Sequence, residues 1–132
     1  MIKEIGHLGI VVKDLEKSLK ALSQIIEFEK PAVKEFPDKK MRCAVVEIKG
    51  VSLEFLQDNS DNGFMALFNR EKGDAIHHFC LLSDNIEKDV EALKKRDVEM
   101  RDPKPKIGLR GKKIAMTMPN ALNGITIELS EP

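Results

Sequence analysis

Two histidines occupy equivalent positions in a segment that the sequence repeats. Residues 5–22, IGHLGIVVKDLEKSLKAL, line up with residues 76–93, IHHFCLLSDNIEKDVEAL, and the alignment pairs His7 with His78. Each copy begins with an apolar stretch of strand length and then changes to the apolar spacing of an amphipathic helix. A single histidine on a strand is usually a hydrogen-bonded core residue, but two at matching positions are able to bind one ligand together.

Two glutamates are paired in the same way near the ends of the two halves. Residues 50–56, GVSLEFL, resemble residues 124–130, GITIELS, so Glu54 is equivalent to Glu128. Strand side chains alternate between faces, so the apolar neighbours of each glutamate are expected to pack against helices while the carboxylate points the other way. Carboxylates inside strands are costly to bury unless they are paired or coordinated.

Imidazole nitrogens and carboxylate oxygens together suit one divalent ion, and any of Zn, Ni, Co, Mn and Fe(II) accepts such ligands. His77 lies on the opposite strand face from His78 and is expected to be structural or to support a ligating residue. The predicted ligands are His7, Glu54, His78 and Glu128.

The repeat predicts an α+β fold of two β-α-β-β-β modules that form a metal-holding cup. The modules are residues 1–57 and 74–132 of one domain, and the connector 58–73 is expected to carry a short helix. Asp14 and Asp84 stand where helix N-caps are expected, the latter with Glu87 three residues later. The remaining strands are predicted at about 27–36 and 41–49, divided by a turn at 37–40, and at about 97–102 and 112–118, divided by a loop at 103–111.

The composition excludes several classes of function. The 132 residues carry 22 Lys and Arg against 22 Asp and Glu, so no net charge favours nucleic acid or an anionic membrane. The sequence starts without a signal-like apolar run, which predicts a cytoplasmic protein. Cys43 and Cys80 lie in apolar strands without metal-type spacing and are expected to be buried thiols.

The paired modules and the His…Glu…His…Glu order resemble the vicinal-oxygen-chelate superfamily (glyoxalase, bleomycin resistance and dioxygenase proteins). Within it, the resemblance is strongest to the methylmalonyl-CoA epimerases and covers nearly the whole chain. The segments that carry it are GHLGIVVKDLEKSL, FMALFNREKGDAIHHFC, NIEKDVEALKKRDV, GLRGKKIAM and NGITIELSEP.

The resemblance implies that His7, His78 and Glu128 are metal ligands, that residue 54 is the fourth, and that Glu128 acts as an acid/base. The implied reaction is epimerisation of methylmalonyl-CoA or a similar acyl-CoA. A proton leaves the carbon next to the thioester through a metal-chelated enolate and returns on the opposite face. By analogy the protein is expected to be a homodimer.

Two other functions stay open. The set with Glu54, where epimerases can have Gln, is typical of glyoxalase I, which makes a lactoylglutathione lyase the runner-up. A binding protein that holds a small molecule without turnover is the third hypothesis. Deuterium exchange into methylmalonyl-CoA and formation of lactoylglutathione would distinguish the three.

Two further features bear on the epimerase hypothesis. An epimerase needs a second acid/base, and in some family members this is a glutamate on the strand after the turn that matches residues 37–40. The candidates here are Asp38 in the turn and Cys43 and Glu47 on the strand after it. The loop 103–113 is rich in cations that suit coenzyme A phosphates, although a solvated loop is slightly favoured because lysine is abundant throughout the chain. These cations are Lys104, Lys106, Arg110, Lys112 and Lys113.

Overall fold

The computed structural model describes residues 2–132, and their elements follow the β-α-β-β-β order twice, as the sequence predicts. In chain order they are β1 (Ile2–Val11), α1 (Leu15–Ser23), β2 (Lys34–Phe36), β3 (Met41–Ile48), β4 (Val51–Asp58), α2 (Phe64–Lys72), β5 (Ala75–Ser83), α3 (Ile86–Lys95), β6 (Lys106–Ile107), β7 (Lys113–Met116) and β8 (Thr126–Ser130). Short 3-10 turns occupy Pro37–Lys39 and Pro119–Leu122. The predicted α+β class is confirmed.

The chain folds into two compact units, and the division between them falls within strands β1 and β5. One unit combines the residues up to His7 with His78–Pro132, and the other is Leu8–His77. Strands run in the order β1-β5-β8-β7-β6 in the first unit and β2-β3-β4-β1 in the second. The proposed module boundaries at 1–57 and 74–132 stay a prediction.

In the unit Leu8–His77, helix α1 covers one face of the β3–β4 pair. Leu15 and Leu19 of α1 belong to a buried cluster with Ala44, Val46 and Phe55. Glu54 pairs across the antiparallel ladder with Val45, one residue out of step with this apolar face. The predicted N-cap is confirmed, since the Asp14 carboxylate accepts a hydrogen bond from the Lys17 amide at 3.0 Å.

In the other unit, helix α3 covers the β7–β8 pair. Its Ile86 and Val90 pack against Ala115 and Leu129. The prediction of Asp84 as N-cap is wrong: the helix begins one residue later, and Asn85 accepts from the Lys88 amide at 3.1 Å. Asp and Asn cap helices about equally well, so the two neighbouring residues are not distinguished by type.

The predicted strand 97–102 is also wrong. In this segment Met100 forms an isolated bridge with Thr117, and β6 lies instead inside the predicted loop 103–111. Backbone hydrogen bonds from the Met118 amide to the Glu99 carbonyl and from the Arg101 amide to the Met116 carbonyl hold this segment, and beyond them a side chain replaces a backbone acceptor. The Asp102 carboxylate accepts from the Met116 amide at 2.9 Å and forms an ion pair with Lys106 at 3.0 Å. In the first half, the predicted strand 27–36 is reduced to β2.

The connector carries helix α2, as predicted. The Asp58 carboxylate accepts hydrogen bonds from the amides of Ser60 and Ala66, both at 3.0 Å, and so holds the loop that leads into the helix. Phe64 and Phe68 of α2 contact the ring of His77, with centroids 5.6 and 4.8 Å apart. None of the helices formed by residues 2–132 is long and apolar enough to cross a membrane.

The packing of α1 predicts a measurable stability loss on truncation. Leu15 is fully buried, so Leu15→Ala should lower the free energy of unfolding by about 2–5 kcal/mol, because the cavity is only partly refilled. Ile25, just after the helix, is 77% exposed, and Ile25→Ala should change it by less than about 0.5 kcal/mol. Urea denaturation followed by circular dichroism measures both. Equal effects would contradict the packing described here.

Candidate metal centre

Strands β5 and β8 bring polar side chains onto one face of the unit formed by residues up to His7 and His78–Pro132. The two strands run parallel, with His78 opposite Thr126 and Cys80 opposite Glu128. The alternate residues Leu81 and Leu129 belong to the apolar cluster under α3. The alternation of side chains therefore directs the polar residues away from the helix, as the sequence predicts.

Three of the four predicted ligands meet on this face. His7 Nε2 lies 3.2 Å from His78 Nε2 and 3.3 Å from Glu128 Oε1. The other carboxylate oxygen of Glu128 is 3.9 Å from His78 Nε2. The exposed fractions of His7, His78 and Glu128 are 2%, 1% and 5%, so the cluster is shielded from water.

Gly6 explains how β1 delivers His7. A Cβ at residue 6 would lie 2.9 Å from Cδ2 of Leu82 and 3.4 Å from the sulfur of Cys80. A larger residue would force Leu82 to shift, so glycine keeps the strand preceding His7 close to β5. His77, which aligns with Gly6 in the repeat, packs instead on the aromatic rings of α2. This supports its interpretation as a structural residue.

The electrostatic surroundings keep His7 neutral. Its pKa is lowered from the ordinary 6.5 to about 4, chiefly because burial disfavours the charged ring and further because Arg110 is positively charged. A terminal nitrogen of the Arg110 guanidinium lies 3.2 Å from Nδ1 of His7. A neutral imidazole is the form that binds metal ions, so the low pKa favours ligation at neutral pH.

Cys80 is a donor that the sequence analysis did not place at the site. Its sulfur, a nitrogen of His7 and an oxygen of Glu128 all lie within 4.8 Å of one another, and the thiol is fully buried. The expectation that Cys80 is a buried thiol is confirmed, and the structure adds that this thiol lies beside two of the predicted ligands. The spacing signal was present, because Cys80 follows His78 by two residues on one strand and so shares its face.

The fourth predicted ligand lies in the other unit. Glu54 is in the middle of β4 and is buried, with an exposed fraction of 8%. Its alternation relative to the apolar face of β4 agrees with the sequence analysis. Its role as a ligand stays a prediction.

The candidates for a second acid/base also belong to Leu8–His77. Asp38 lies in the exposed turn Pro37–Lys39, and Cys43 is buried on β3. Glu47 is exposed and accepts a hydrogen bond from the hydroxyl of Ser52 at 2.7 Å. None of the three gains a catalytic role from these contacts, and all three stay predictions.

The cations of the loop 103–113 have different partners. Lys106 pairs with Asp102, and Lys113 pairs with Glu87 at 2.5 Å. These two contacts tie the loop to its own unit. Arg110 reaches His7, and no local sequence pattern predicts this contact because it joins residues 103 positions apart.

The donor set fits a divalent metal ion. Two buried imidazoles, one of them held neutral, and a carboxylate converge from three strands, and a thiol adjoins them. Nitrogen and oxygen donors in this combination suit the late first-row metals, and thiolate is a further ligand for Zn and Co. The residues of this unit that would hold such an ion are His7, His78 and Glu128.

Comparison with known proteins agrees with this fold. Residues 6–116 match the model of the Glyoxalase/Bleomycin resistance protein/Dioxygenase superfamily. Mouse mitochondrial methylmalonyl-CoA epimerase is 26% identical over 128 residues, covering 96% of this chain and 72% of that protein. The uncharacterised protein YqjC of Bacillus subtilis is 26% identical over 131 residues, covering 99% of this chain and 94% of that protein.

A solved structure shares the fold. Streptomyces coelicolor methylmalonyl-CoA epimerase, in complex with 2-nitronate-propionyl-CoA, superposes with a TM-score of 0.88 at 20% identity, covering 99% of this chain and 95% of that one. Because the family model matches most of the sequence, the chain belongs to the Glyoxalase/Bleomycin resistance protein/Dioxygenase superfamily.

Adjacent histidines on β5 provide a matched test of the metal centre. His78→Ala should weaken Co(II) or Ni(II) binding by at least about 10-fold, because a ligand is lost. His77→Ala should leave the affinity within about 3-fold, since that ring packs on Phe64 and Phe68. Isothermal titration of the chelator-stripped proteins measures both constants. Equal weakening by the two substitutions would contradict the assignment of His78.

The low pKa of His7 predicts a pH-dependent stability. Between about pH 4 and pH 6.5, His7 is protonated in the unfolded chain but not in the folded chain. The free energy of unfolding should therefore fall as the pH is lowered through this range, by at most about 3 kcal/mol, and should not change through His7 above it. Urea denaturation with a chelator present measures the slope. His7→Gln should reduce that slope, and an unchanged slope would refute the assignment.

Proposed function

We propose that the chain is a metal-dependent epimerase of methylmalonyl-CoA or a similar acyl-CoA. The observation that carries the proposal is the buried cluster of His7, His78 and Glu128, with N–N and N–O distances of 3.2–3.9 Å. The likeness to methylmalonyl-CoA epimerases over almost the whole chain supports this choice within the superfamily. The ligands of the proposed ion are His7, Glu54, His78 and Glu128.

Glu128 is the proposed acid/base. Its Oε1 lies 3.3 Å from His7 Nε2, and its side chain lies on the same strand face as His78 and Cys80. A carboxylate held in this way can remove the proton from the carbon between the thioester and the free carboxylate of the acyl group, and can return it. A bound divalent ion supplies a Lewis acid next to the oxygens of these two groups.

The burial of the cluster supports the same chemistry. Glu128 is almost fully shielded from water, so a charge on it interacts strongly with a nearby substrate. Inversion at the reacting carbon requires a second acid/base on the opposite face. Asp38, Cys43 and Glu47 are the proposed candidates, and a homodimer in the cytoplasm is the proposed setting.

A glyoxalase I-type lactoylglutathione lyase is the second candidate. Glu54 favours it, because His, Glu, His and Glu together are the set typical of glyoxalase I. Both reactions begin with removal of a proton next to a carbonyl, so Glu128 would have the same role in each.

Proton exchange in heavy water tests the proposal. The metal-loaded protein should replace the α-proton of methylmalonyl-CoA by deuterium, observed by NMR, and Glu128→Gln should slow this exchange by at least about 100-fold because the base is lost. Glu131→Gln is the matched control, since this carboxylate accepts from the Lys113 amide at 2.8 Å and should leave the rate nearly unchanged. Formation of lactoylglutathione without exchange would favour the lyase. Absence of both activities would overturn both candidate functions.

A further inference from the structure

Arg110 differs from the other loop cations in the partner it reaches. Lys106 and Lys113 pair with carboxylates of their own unit at 3.0 and 2.5 Å. The Arg110 guanidinium lies 3.2 Å from Nδ1 of His7, a residue that is 98% shielded from water. Arg110 itself is an exposed residue, so a charged side chain reaches from the surface to the buried cluster.

The contact has a chemical consequence for His7. A guanidinium only donates hydrogen bonds, so Nδ1 accepts, and the single proton of the neutral ring is on Nε2. When Nε2 gives its lone pair to a cation, the proton must be on Nδ1 instead, and two donors would face each other. The guanidinium can then donate to a different acceptor in the same place.

The position of Arg110 restricts what that acceptor is. His7 presents Nδ1 to Arg110 and Nε2 to Glu128 Oε1. The guanidinium and the proposed acid/base are therefore separated by the width of one imidazole ring. An anion bound there is part of the reacting end of a substrate. Guanidinium groups bind carboxylates through two parallel hydrogen bonds, which also fix the orientation of the carboxylate.

We propose that Arg110 binds the free carboxylate of the acyl group and thereby selects acyl-CoA substrates that carry one. This inference rests on the proposed function. It assigns a specificity-determining role to the loop 103–113 at the reacting end of the substrate. The phosphates of coenzyme A are the other anions available to a guanidinium, and the experiment separates them from the acyl carboxylate.

Equilibrium binding to two thioesters tests the proposal independently of turnover. Malonyl-CoA and propionyl-CoA have the same coenzyme A phosphates but only the first has a free carboxylate. For metal-loaded protein, isothermal titration should show Arg110→Met weakening malonyl-CoA binding by about 10- to 100-fold, as expected for the loss of a charged pair, and propionyl-CoA binding by less than about 3-fold.

Two further variants act as controls. Arg110→Lys should restore part of the preference for malonyl-CoA, because the positive charge is kept. The restoration should be incomplete, because lysine lacks the paired hydrogen bonds of a guanidinium. Lys112→Met removes an exposed cation from the same loop and should leave the ratio of the two dissociation constants unchanged. The metal content of each variant is measured by elemental analysis and should equal that of the unsubstituted protein.

Four results would overturn the proposal. The first is an equal weakening of malonyl-CoA and propionyl-CoA binding in Arg110→Met, which would indicate phosphate binding, and the second is no weakening of either. The third is a fall in metal content that accounts for the lost affinity. The fourth is an altered ratio of the two dissociation constants in Lys112→Met. If the unsubstituted protein binds neither thioester and exchanges no α-proton, the proposed function fails as well. Normal exchange with an unchanged ratio in Arg110→Met rejects the role of Arg110 alone.

Discussion

The burial of a carboxylate beside two imidazoles is the constraint on which the rest of this structure depends. Removing an ionised carboxylate from water costs several kcal/mol unless hydrogen bonds or a cation replace the lost hydration. The two oxygens of Glu128 lie 3.3 Å from His7 Nε2 and 3.9 Å from His78 Nε2, and a divalent ion held by these three side chains would meet this requirement. Replacing buried ionic groups by well-packed apolar residues is often neutral or stabilising, so burial of this cluster points to a function and not to a gain in stability.

The scaffold satisfies this constraint through strand alternation and one close backbone approach. The parallel register of β5 and β8 places Cys80 opposite Glu128, while the intervening residues pack beneath α3. Gly6 lets β1 approach β5, so the imidazole of His7 arrives from a third strand. The apolar core and the polar cluster are thus two faces of the same strands, and a shift of one residue in register would exchange them.

The part of the site that could be predicted is the part set by local periodicity and by the internal repeat. The internal repeat and the alternation of strand side chains predict that the side chains of His7, His78 and Glu128 point away from the helices. Contacts made by loops over a long sequence separation have no such periodicity, so Arg110 was recognised only as one cation among several. The same limit applies to β6, whose position follows from the bonds of Asp102 and not from a strand pattern.

A crystal structure of the metal-loaded protein, with anomalous scattering recorded at the absorption edge of the bound metal, tests the central claim most directly. We expect one anomalous peak at about 2.0–2.2 Å from nitrogens of His7 and His78 and from an oxygen of Glu128, the distances usual for such ligands. An additional contact to Glu54 or Cys80 would complete the ligand set. A peak elsewhere in the chain, with these three side chains outside coordinating distance, would contradict the assignment of the site.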